Sequence, residues 1–171
     1  MASVSQLLAL KGQKVHAIGR MATVFEAIER MVAHNVGALL VMEERFVEDK
    51  VTRAIGESGV PAGGVLGTRP CGILTERDYL RKVALKGRAS RTTLVHEIMT
   101  RRLVSVHLDT AIESCMDLMT RNHIRHLPVF DGEALAGLVS IGDIVKHLAG
   151  DRQMQIEQLI GYIQGGEMAR C

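Results

Sequence analysis

Apolar residues in the first half of the chain alternate between helical and strand patterns. One helical pattern has the i, i+3, i+4, i+7, i+8 spacing of a helix with a single buried face, at Val24, Ala27, Ile28, Met31 and Val32. Short apolar runs of strand length lie at residues 15–18, 36–42 and 71–74, and a second helical pattern covers residues 76–86. This half therefore predicts the order strand, helix, strand, strand, helix.

The same order returns in the second half of the chain. Strands are predicted at residues 103–106, 124–130 and 135–139, and a helix at 142–148. The intervening helical stripe consists of Ile112, Cys115, Met116 and Met119. Val41 aligns with Val129 at an offset of about 88 residues, and Asp78 with Asp143 at about 65. We therefore predict an internal repeat of the α/β (α+β) class, in which the first copy carries about 23 extra residues between its second and third strands.

The extra residues form a segment rich in Gly and Pro at about residues 44–70, which is typical of a loop or hairpin. In the second copy the same connection is the short turn Asp131-Gly132-Glu133, a hairpin signal. Loops tolerate insertions, so a decorated turn is the simpler interpretation. A partner-binding or lid loop is the alternative.

Four segments follow from these patterns. An amphipathic helix is predicted within residues 1–14, the first repeat covers 15–90, and a polar linker with the second repeat covers 91–150. Residues 151–171 predict a further amphipathic helix, ended by Gly165-Gly166. Its apolar positions are Met154, Ile156, Leu159, Ile160 and Ile163.

Composition restricts the kinds of partner. The 171 residues are 47% hydrophobic and carry a formal net charge of +2, too balanced for bulk electrostatic binding to nucleic acid or anionic membranes. Only 3% of residues are aromatic, no apolar run has the length of a spanning helix, and the first residues lack the order of a secretory signal. We expect a soluble cytoplasmic protein, or one of an organelle matrix if a targeting segment was removed. The three cysteines form no C-x-x-C, which argues against a disulfide framework or structural zinc.

The most specific motif lies at the junction between the third strand and the second helix of each repeat. Gly72-Ile-Leu-Thr75-Glu-Arg-Asp78 and Gly137-Leu-Val-Ser140-Ile-Gly-Asp143 both place a hydroxyl where a helix begins and a carboxylate three residues later. One interpretation is a capping box, which satisfies backbone N–H groups and is worth about 1 kcal/mol. The other is a ligand site, because a helix N-terminus receives phosphate and a carboxylate can accept both hydroxyls of a ribose. The two can coexist.

The second repeat also places Arg125-His126-Leu127-Pro128 in a strand that should be apolar, whereas the first has Gly37-Ala38 there. Arg125 and His126 either reach a cleft, or form a solvated strand end or a salt bridge. They can share one pocket only if the strand is irregular, because adjacent side chains point to opposite faces. His123 and His126 lack neighbours with metal-ligand spacing, so no metal is predicted. Nothing pairs a nucleophile with a base, so no enzyme activity is predicted.

These motifs resemble those of the cystathionine β-synthase (CBS) domain, two copies of which form a Bateman module. The resemblance covers about residues 15–150 through the doubled junction motif, the segment Ile124-Arg-His-Leu-Pro-Val129, and the linker ending Ile98-Met99-Thr100. The chain is most similar to small stand-alone CBS-pair proteins of bacteria and organelles. This resemblance implies pseudo-twofold packing of the repeats, two clefts between them, and association of two chains into a homodimer.

The family's ligands are adenosyl compounds, and the resemblance implies AMP foremost, with ADP, ATP, NAD(H) or S-adenosylmethionine as alternatives. By position, Asp78 and Asp143 would hold ribose, and Thr75 and Ser140 would touch ribose or phosphate. The adenine slots would be lined by Ile18, Val106, Gly37, Ala38 and Leu127, with Pro128 beside them. Phosphate would meet Arg77, Arg125 and His126. Because Gly142 stands where the first repeat has Arg77, the resemblance favours the Asp78 site for a phosphate ligand.

Two functions remain open from the sequence. One is a non-catalytic sensor that binds an adenine nucleotide and signals to an unknown regulated protein by conformational change. The other is a constitutive interaction scaffold that needs no ligand. Nucleic-acid binding through Arg101, Arg102 and Arg121 is the weakest binding hypothesis.

Overall fold

The computed structural model describes residues 2–12, 14–43 and 70–150. The insertion predicted at residues 44–70, apart from residue 70, and the C-terminal helix predicted at 151–171 lie outside the described residues. The described elements, in chain order, are α1 (Val4–Lys11), β1 (Ala17–Gly19), α2 (Val24–His34), β2 (Ala38–Met42), β3 (Gly72–Thr75), α3 (Glu76–Lys82), α4 (Val95–Ile98), β4 (Val106–His107), α5 (Ile112–Asn122), β5 (His126–Asp131) and β6 (Ala134–Ser140). A final helix, α6, covers residues 141–150.

The predicted order of elements is confirmed in both repeats, most boundaries shift by one or two residues, and two shift further. The helix predicted over residues 76–86 ends at Lys82 and continues as a 3₁₀ turn, Ala84–Lys86, closed by Gly87 at φ +62°. The strand predicted at 103–106 begins only at Val106, because only Val106 and His107 pair with β5. Leu103 instead packs against the apolar cluster between the sheets.

Each repeat forms a three-stranded sheet with the same pairing. In the first, β2 pairs in parallel with β1 and antiparallel with β3, so that Val41 lies between Ile18 and Gly72. In the second, β5 pairs in parallel with β4 and antiparallel with β6, so that Val129 lies between Val106 and Gly137. These partners show the offsets of 88 and 65 predicted from the sequence, so the repeat is confirmed at the level of single residues.

Matching caps end the first helix of each repeat. Asn35 after α2 and His123 after α5 both adopt the left-handed conformation, with φ of 51° and 54°. Both residues donate a backbone N–H to the last turn of the preceding helix. Asn and His enter this conformation more readily than most side chains do, so neither helix needs a glycine to stop it.

The helix that precedes each repeat packs on the other repeat. In the α1 region, the Val4 N–H donates to the Thr110 carbonyl over 2.9 Å, and Val4, Leu7 and Leu8 are buried in the core of the second repeat. Correspondingly, the Val95 N–H of α4 donates to the Ala22 carbonyl over 2.9 Å, and α4 is buried in the core of the first repeat. The two repeats are thereby tied together by crossed helices.

The glycine that opens each junction motif makes this crossing possible. A Cβ atom on Gly72 would lie 2.7 Å from the Met99 Sδ and 2.9 Å from the Thr100 carbonyl oxygen, both just after α4. A Cβ atom on Gly137 would lie 3.0 Å from both terminal methyls of Leu8 in α1. A side chain at position 72 would collide with the backbone that follows α4, and one at position 137 would require the Leu8 methyls of α1 to shift.

A third apolar cluster joins the two sheets. Its first-repeat members are Val15, Ala17, Ala38, Leu40, Met42 and Ile73. Phe130 and Leu135 of the second repeat pack against them. Alternate residues of β2 therefore face the other repeat, while Leu39 and Val41 face the core of their own repeat. Across the described ranges, no helix has both the length and the apolarity needed to cross a membrane.

Candidate ligand site at the two junctions

At the first junction, protein groups donate hydrogen bonds to both carboxylate oxygens of Asp78. Oδ2 of Asp78 accepts from the backbone N–H of Thr75 at 3.0 Å and from its hydroxyl at 2.9 Å, which completes a capping box at the start of α3. Oδ1 accepts from the Lys82 ammonium at 2.8 Å and from the Thr100 hydroxyl at 3.2 Å. Lys82 also donates to the Ile98 carbonyl at 2.6 Å, so this cation is anchored to α4.

The second junction repeats the capping box but takes its cation from a distant helix. Oδ2 of Asp143 accepts from the backbone N–H of Ser140 at 2.8 Å and from its hydroxyl at 2.6 Å. The same oxygen forms an ion pair with Lys11 at the end of α1. Lys11 also donates to the Leu138 carbonyl at 2.8 Å. Capping is thus confirmed at both junctions, and the ion pairs are additional.

The two carboxylates differ in their remaining capacity to accept hydrogen bonds. All hydrogen bonds between Asp143 and the described residues go to Oδ2, whereas Asp78 uses both oxygens. The Asp143 side chain is also the more accessible, at 19% exposed against 10% for Asp78. Burial raises the pKa of the Asp143 carboxyl, but hydrogen bonds from Lys11 and Ser140 outweigh it and hold the pKa below its ordinary value. Asp143 is therefore a stabilised anion with one oxygen able to accept a further bond.

His126 brings the first repeat to the second junction. It pairs across β5 and β6 with Ser140, and its Cε1 lies 3.8 Å from where a Cβ atom on Gly37 would stand. The Glu76 carboxylate approaches the same point to 3.4 Å. A Cβ atom at position 37 would make ordinary van der Waals contacts with both groups, so the first repeat closely approaches His126 here.

Arg125 and His126 do not share a surface. Arg125 is exposed just before β5, while His126 is half-buried. The irregularity in β5 lies between Val129 and Phe130 rather than at these two residues, and Pro128 is buried. Burial lowers the pKa of His126, and the charges of Lys11 and Arg125 lower it further against the opposing effect of Asp143.

Arg77 makes a direct link between the repeats. Its guanidinium donates to the carbonyl of His123 at 2.7 Å, at the end of α5. Gly142 occupies the matching position in the second repeat and supplies no such side chain. Arg77 is exposed and has further N–H donors, so this bond leaves part of its capacity for an anion.

Comparisons with known proteins assign the family. The sequence model of the CBS domain matches residues 95–150. The mitochondrial CBS domain-containing protein CBSX3 of Arabidopsis thaliana is 40% identical over 146 residues, which make up 84% of this chain and 61% of that protein. This chain therefore spans less than two thirds of the plant relative's length. The CBS domain-containing protein YhcV of Bacillus subtilis is 34% identical over 122 residues, 71% of this chain and 70% of that protein. The chain belongs to the CBS domain family.

Solved CBS structures confirm the architecture. The CBS domain structure NE2398 has a TM-score of 0.70 at 40% identity, and the match covers 86% of this chain and 98% of that one. The CBS domain pair of protein MJ0100, in complex with 5′-methylthioadenosine and S-adenosyl-L-methionine, has a TM-score of 0.62. At 20% identity over 88% of this chain and 98% of that one, this second likeness concerns the fold alone.

The apolar residues predicted to line adenine slots lie in three different cores of this CBS pair. Ile18 packs in the core of the first repeat, and Val106 and Leu127 pack in that of the second. Ala38 belongs to the cluster between the sheets. The structure brings His126, Ser140 and Asp143 to one neighbourhood, and Thr75, Arg77 and Asp78 to another. Gly37 lies between them, because it stands beside His126 and its carbonyl accepts the N–H of Glu76 at 3.2 Å.

Three polar residues at the junctions were missed from the sequence. Lys82 lies four residues after Asp78, a spacing that predicts an ion pair on a helix, so it could have been found. Thr100 and Lys11 could not, because their contacts depend on the crossing of α4 and α1. Among the described residues, no group of three or more His, Cys, Asp and Glu could hold a metal ion.

Proposed function

We propose that this CBS pair is a non-catalytic regulatory module that binds an adenosyl ligand and signals to a partner protein by a change of conformation. The observation that carries the proposal is the Asp143 junction. A stabilised carboxylate with one available oxygen stands there beside Lys11 and His126, where the repeats meet at Gly37. The adenosyl ligands of the MJ0100 CBS pair support this class of ligand.

Ribose recognition follows from the chemistry of the junction. The vicinal hydroxyls of a ribose donate hydrogen bonds, and a carboxylate accepts them in a charge-assisted pair. The N-terminus of a helix adds donors and partial positive charge for a nearby phosphate. AMP is the proposed ligand, and ADP, ATP and NAD(H) are the alternatives that share the same adenosyl group.

The geometry favours Asp143 over Asp78 as the principal ribose site. The sequence favoured Asp78 because Arg77 stands beside it, yet Thr75, Lys82 and Thr100 already occupy both oxygens of Asp78. A ligand at Asp78 would have to displace or share those bonds, which costs free energy. Arg77 and Asp78 are proposed as a second, weaker site.

Signalling follows from the links between the repeats. A ligand can shift a protein between two arrangements only if it binds one of them more tightly. The bond from Arg77 to His123 connects the two repeats, and the pairing of Lys11 with Asp143 connects the helix before the first repeat to the second repeat. A ligand at either junction would act on one of these links. The regulated partner is proposed to be a protein, in the cytoplasm or an organelle matrix. The plant relative's name places that relative in mitochondria.

A homodimer is proposed as the working unit. Leu80 of α3 and Val145 of α6 occupy matching positions of the two repeats, and both are exposed, at 56% and 55%. A contact with a second chain would bury both of these exposed apolar side chains. The second copy of this chain is the proposed occupant.

A ligand-free scaffold is the second candidate function. The observation in its favour is that protein groups already pair with both carboxylates. A scaffold would show the same stability and the same partner binding with and without adenosyl compounds. A sensor would change in both.

Isothermal titration calorimetry with AMP, ADP, ATP, NADH and S-adenosylmethionine tests the proposal. We expect saturable binding of at least AMP to the wild type, and Asp143→Asn should weaken it at least about tenfold, or about 1.4 kcal/mol. Asp78→Asn should weaken it less. Asp117→Asn, which alters an exposed carboxylate on α5, is the matched control. Failure of all five compounds to bind the folded wild type would refute the sensor and favour the scaffold.

A further inference from the structure

Lys11 occupies an unusual position for a residue at the end of the first helix. Its ammonium donates to the Leu138 carbonyl and pairs with Asp143, both in the second repeat. A lysine ammonium has three N–H donors, and these two contacts use two of them. One donor therefore remains at a side chain that is still 31% exposed.

The placement of Lys11 differs from that of its counterpart at the first junction. Lys82 binds Oδ1 of Asp78, the oxygen that the capping Thr75 leaves aside. Lys11 instead binds Oδ2 of Asp143, the same oxygen that the capping Ser140 uses. The cation thus stands on the capping side of the carboxylate at the second junction and leaves the other oxygen available.

Lys11 lies near two histidine rings. Burial lowers the pKa of both His126 and His16, and the charge of Lys11 lowers both further, which places it near both rings. Lys14 also lowers the pKa of His16, so its charge lies near that ring as well. The Asp143 carboxylate pairs directly with the Lys11 ammonium. This ammonium also attracts an anionic ligand, because opposite charges attract more strongly where water is partly excluded.

We propose that Lys11 makes the second junction selective for adenosyl ligands that carry phosphate, by donating its remaining N–H to a phosphate oxygen. Asp143 then accepts from the ribose through Oδ1 while it holds Lys11 through Oδ2. This inference rests on the proposed function above and adds to it the residue that selects for the phosphate. Nucleoside phosphates are preferred over neutral nucleosides and over cationic sulfonium compounds.

The test compares AMP with adenosine, which differ in the phosphate alone. Calorimetric titrations of both ligands would use the wild type, Lys11→Met and Lys11→Arg at one ionic strength. We expect Lys11→Met to lower the ratio of AMP affinity to adenosine affinity at least tenfold, and Lys11→Arg to retain most of it, because arginine keeps the charge. Lys14→Met removes a nearby charge without touching Asp143 and should change the ratio less than threefold.

The outcomes separate this inference from the function on which it rests. If both ligands bind and Lys11→Met leaves their affinity ratio within threefold of wild type, Lys11 is only a structural ion-pair partner and the inference is overturned. If neither ligand binds the wild type, the inference is overturned, and the proposed function fails as well only if ADP, ATP, NADH and S-adenosylmethionine also do not bind. A second readout needs no variant: rising salt should weaken AMP binding to the wild type more than adenosine binding, and equal weakening would overturn the selectivity.

Discussion

His126 is the residue at which the first repeat reaches the second junction. It stands beside Gly37, pairs with Ser140 across the sheet, and lies near Lys11. Burial and the neighbouring positive charges lower its pKa, so the folded protein resists protonation of this ring. A ring that must stay neutral makes the contact between the repeats sensitive to pH.

The sign of this pH dependence can be predicted. Below the ordinary pKa of histidine, about 6.5, His126 binds a proton more readily in the unfolded chain than in the folded protein. The free energy of unfolding therefore falls as pH decreases. His126→Gln should reduce the loss of unfolding free energy between about pH 7 and pH 5, measured by urea denaturation. His107→Gln, at an exposed ring on β4, is the control. An identical loss in wild type and His126→Gln would contradict the lowered pKa.

At the residue scale, the sequence predicts the contacts that form between residues close together in the chain. The carboxylates of Asp78 and Asp143 and their capping hydroxyls were identified from spacing alone, because a capping box spans only three residues. Lys11 was not, because it stands 132 residues before Asp143 in sequence and meets it only after α1 crosses to the other repeat. The preference for Asp78 rested on Arg77, whose bond to His123 is equally long-range.

The crossed helices are the main feature at the scale of elements. The helix preceding each repeat completes the core of the other repeat, and a glycine at the start of β3 or in the middle of β6 leaves room for it. This arrangement explains why the repeated motif begins with glycine, a position for which capping and ribose binding give no reason. The crossing ties the stability of each repeat to a segment outside it.

Gly72→Ala tests the crossing at α4. The new methyl would stand 2.7 Å from the Met99 Sδ and 2.9 Å from the backbone oxygen of Thr100, so the backbone must shift. We expect a loss of about 1–3 kcal/mol of unfolding free energy by urea denaturation, the range of overpacking substitutions. Gly19→Ala is the matched control, since no described atom lies within 4 Å of its added methyl. Equal stability of the two variants would rule out the close approach.

Element order was predictable because each element carries its own hydrophobic period. The stripes of α2 and α5 and the apolar runs of β2 and β3 were all recognised. The boundaries of β4 were not, because residues 103–105 are apolar in part yet find no partner on β5. The sequence also does not predict which repeat α1 and α4 pack against. An amphipathic pattern shows that one face of a helix is buried, but it does not identify the surface that covers this face.

At the scale of the whole molecule, two repeats with the same strand pairing have two unequal junctions. One has a carboxylate saturated by its own surroundings and an arginine that links the repeats. The other has a carboxylate with an available oxygen, a lysine from the first helix and a histidine beside the first repeat. Pseudo-symmetry of the backbone thus coexists with different binding capacity, and we expect ligand to fill the second junction first.

Self-association also belongs to this scale. Leu80→Lys should shift the protein from dimer to monomer in sedimentation-velocity experiments, because a charge replaces an exposed apolar side chain on the proposed contact surface. Leu10→Lys, at another exposed leucine on α1, is the control and should leave the dimer intact. A wild type that sediments as a monomer at all concentrations would contradict the proposed dimer.

A crystal structure of the wild type grown with AMP would show directly whether the nucleotide binds at the second junction. We predict one nucleotide between the repeats, with a ribose hydroxyl within about 3 Å of Asp143 Oδ1 and a phosphate oxygen at a similar distance from Lys11 Nζ. Fully occupied AMP at Asp78 with none at Asp143, or no nucleotide between the repeats at saturating AMP, would contradict it.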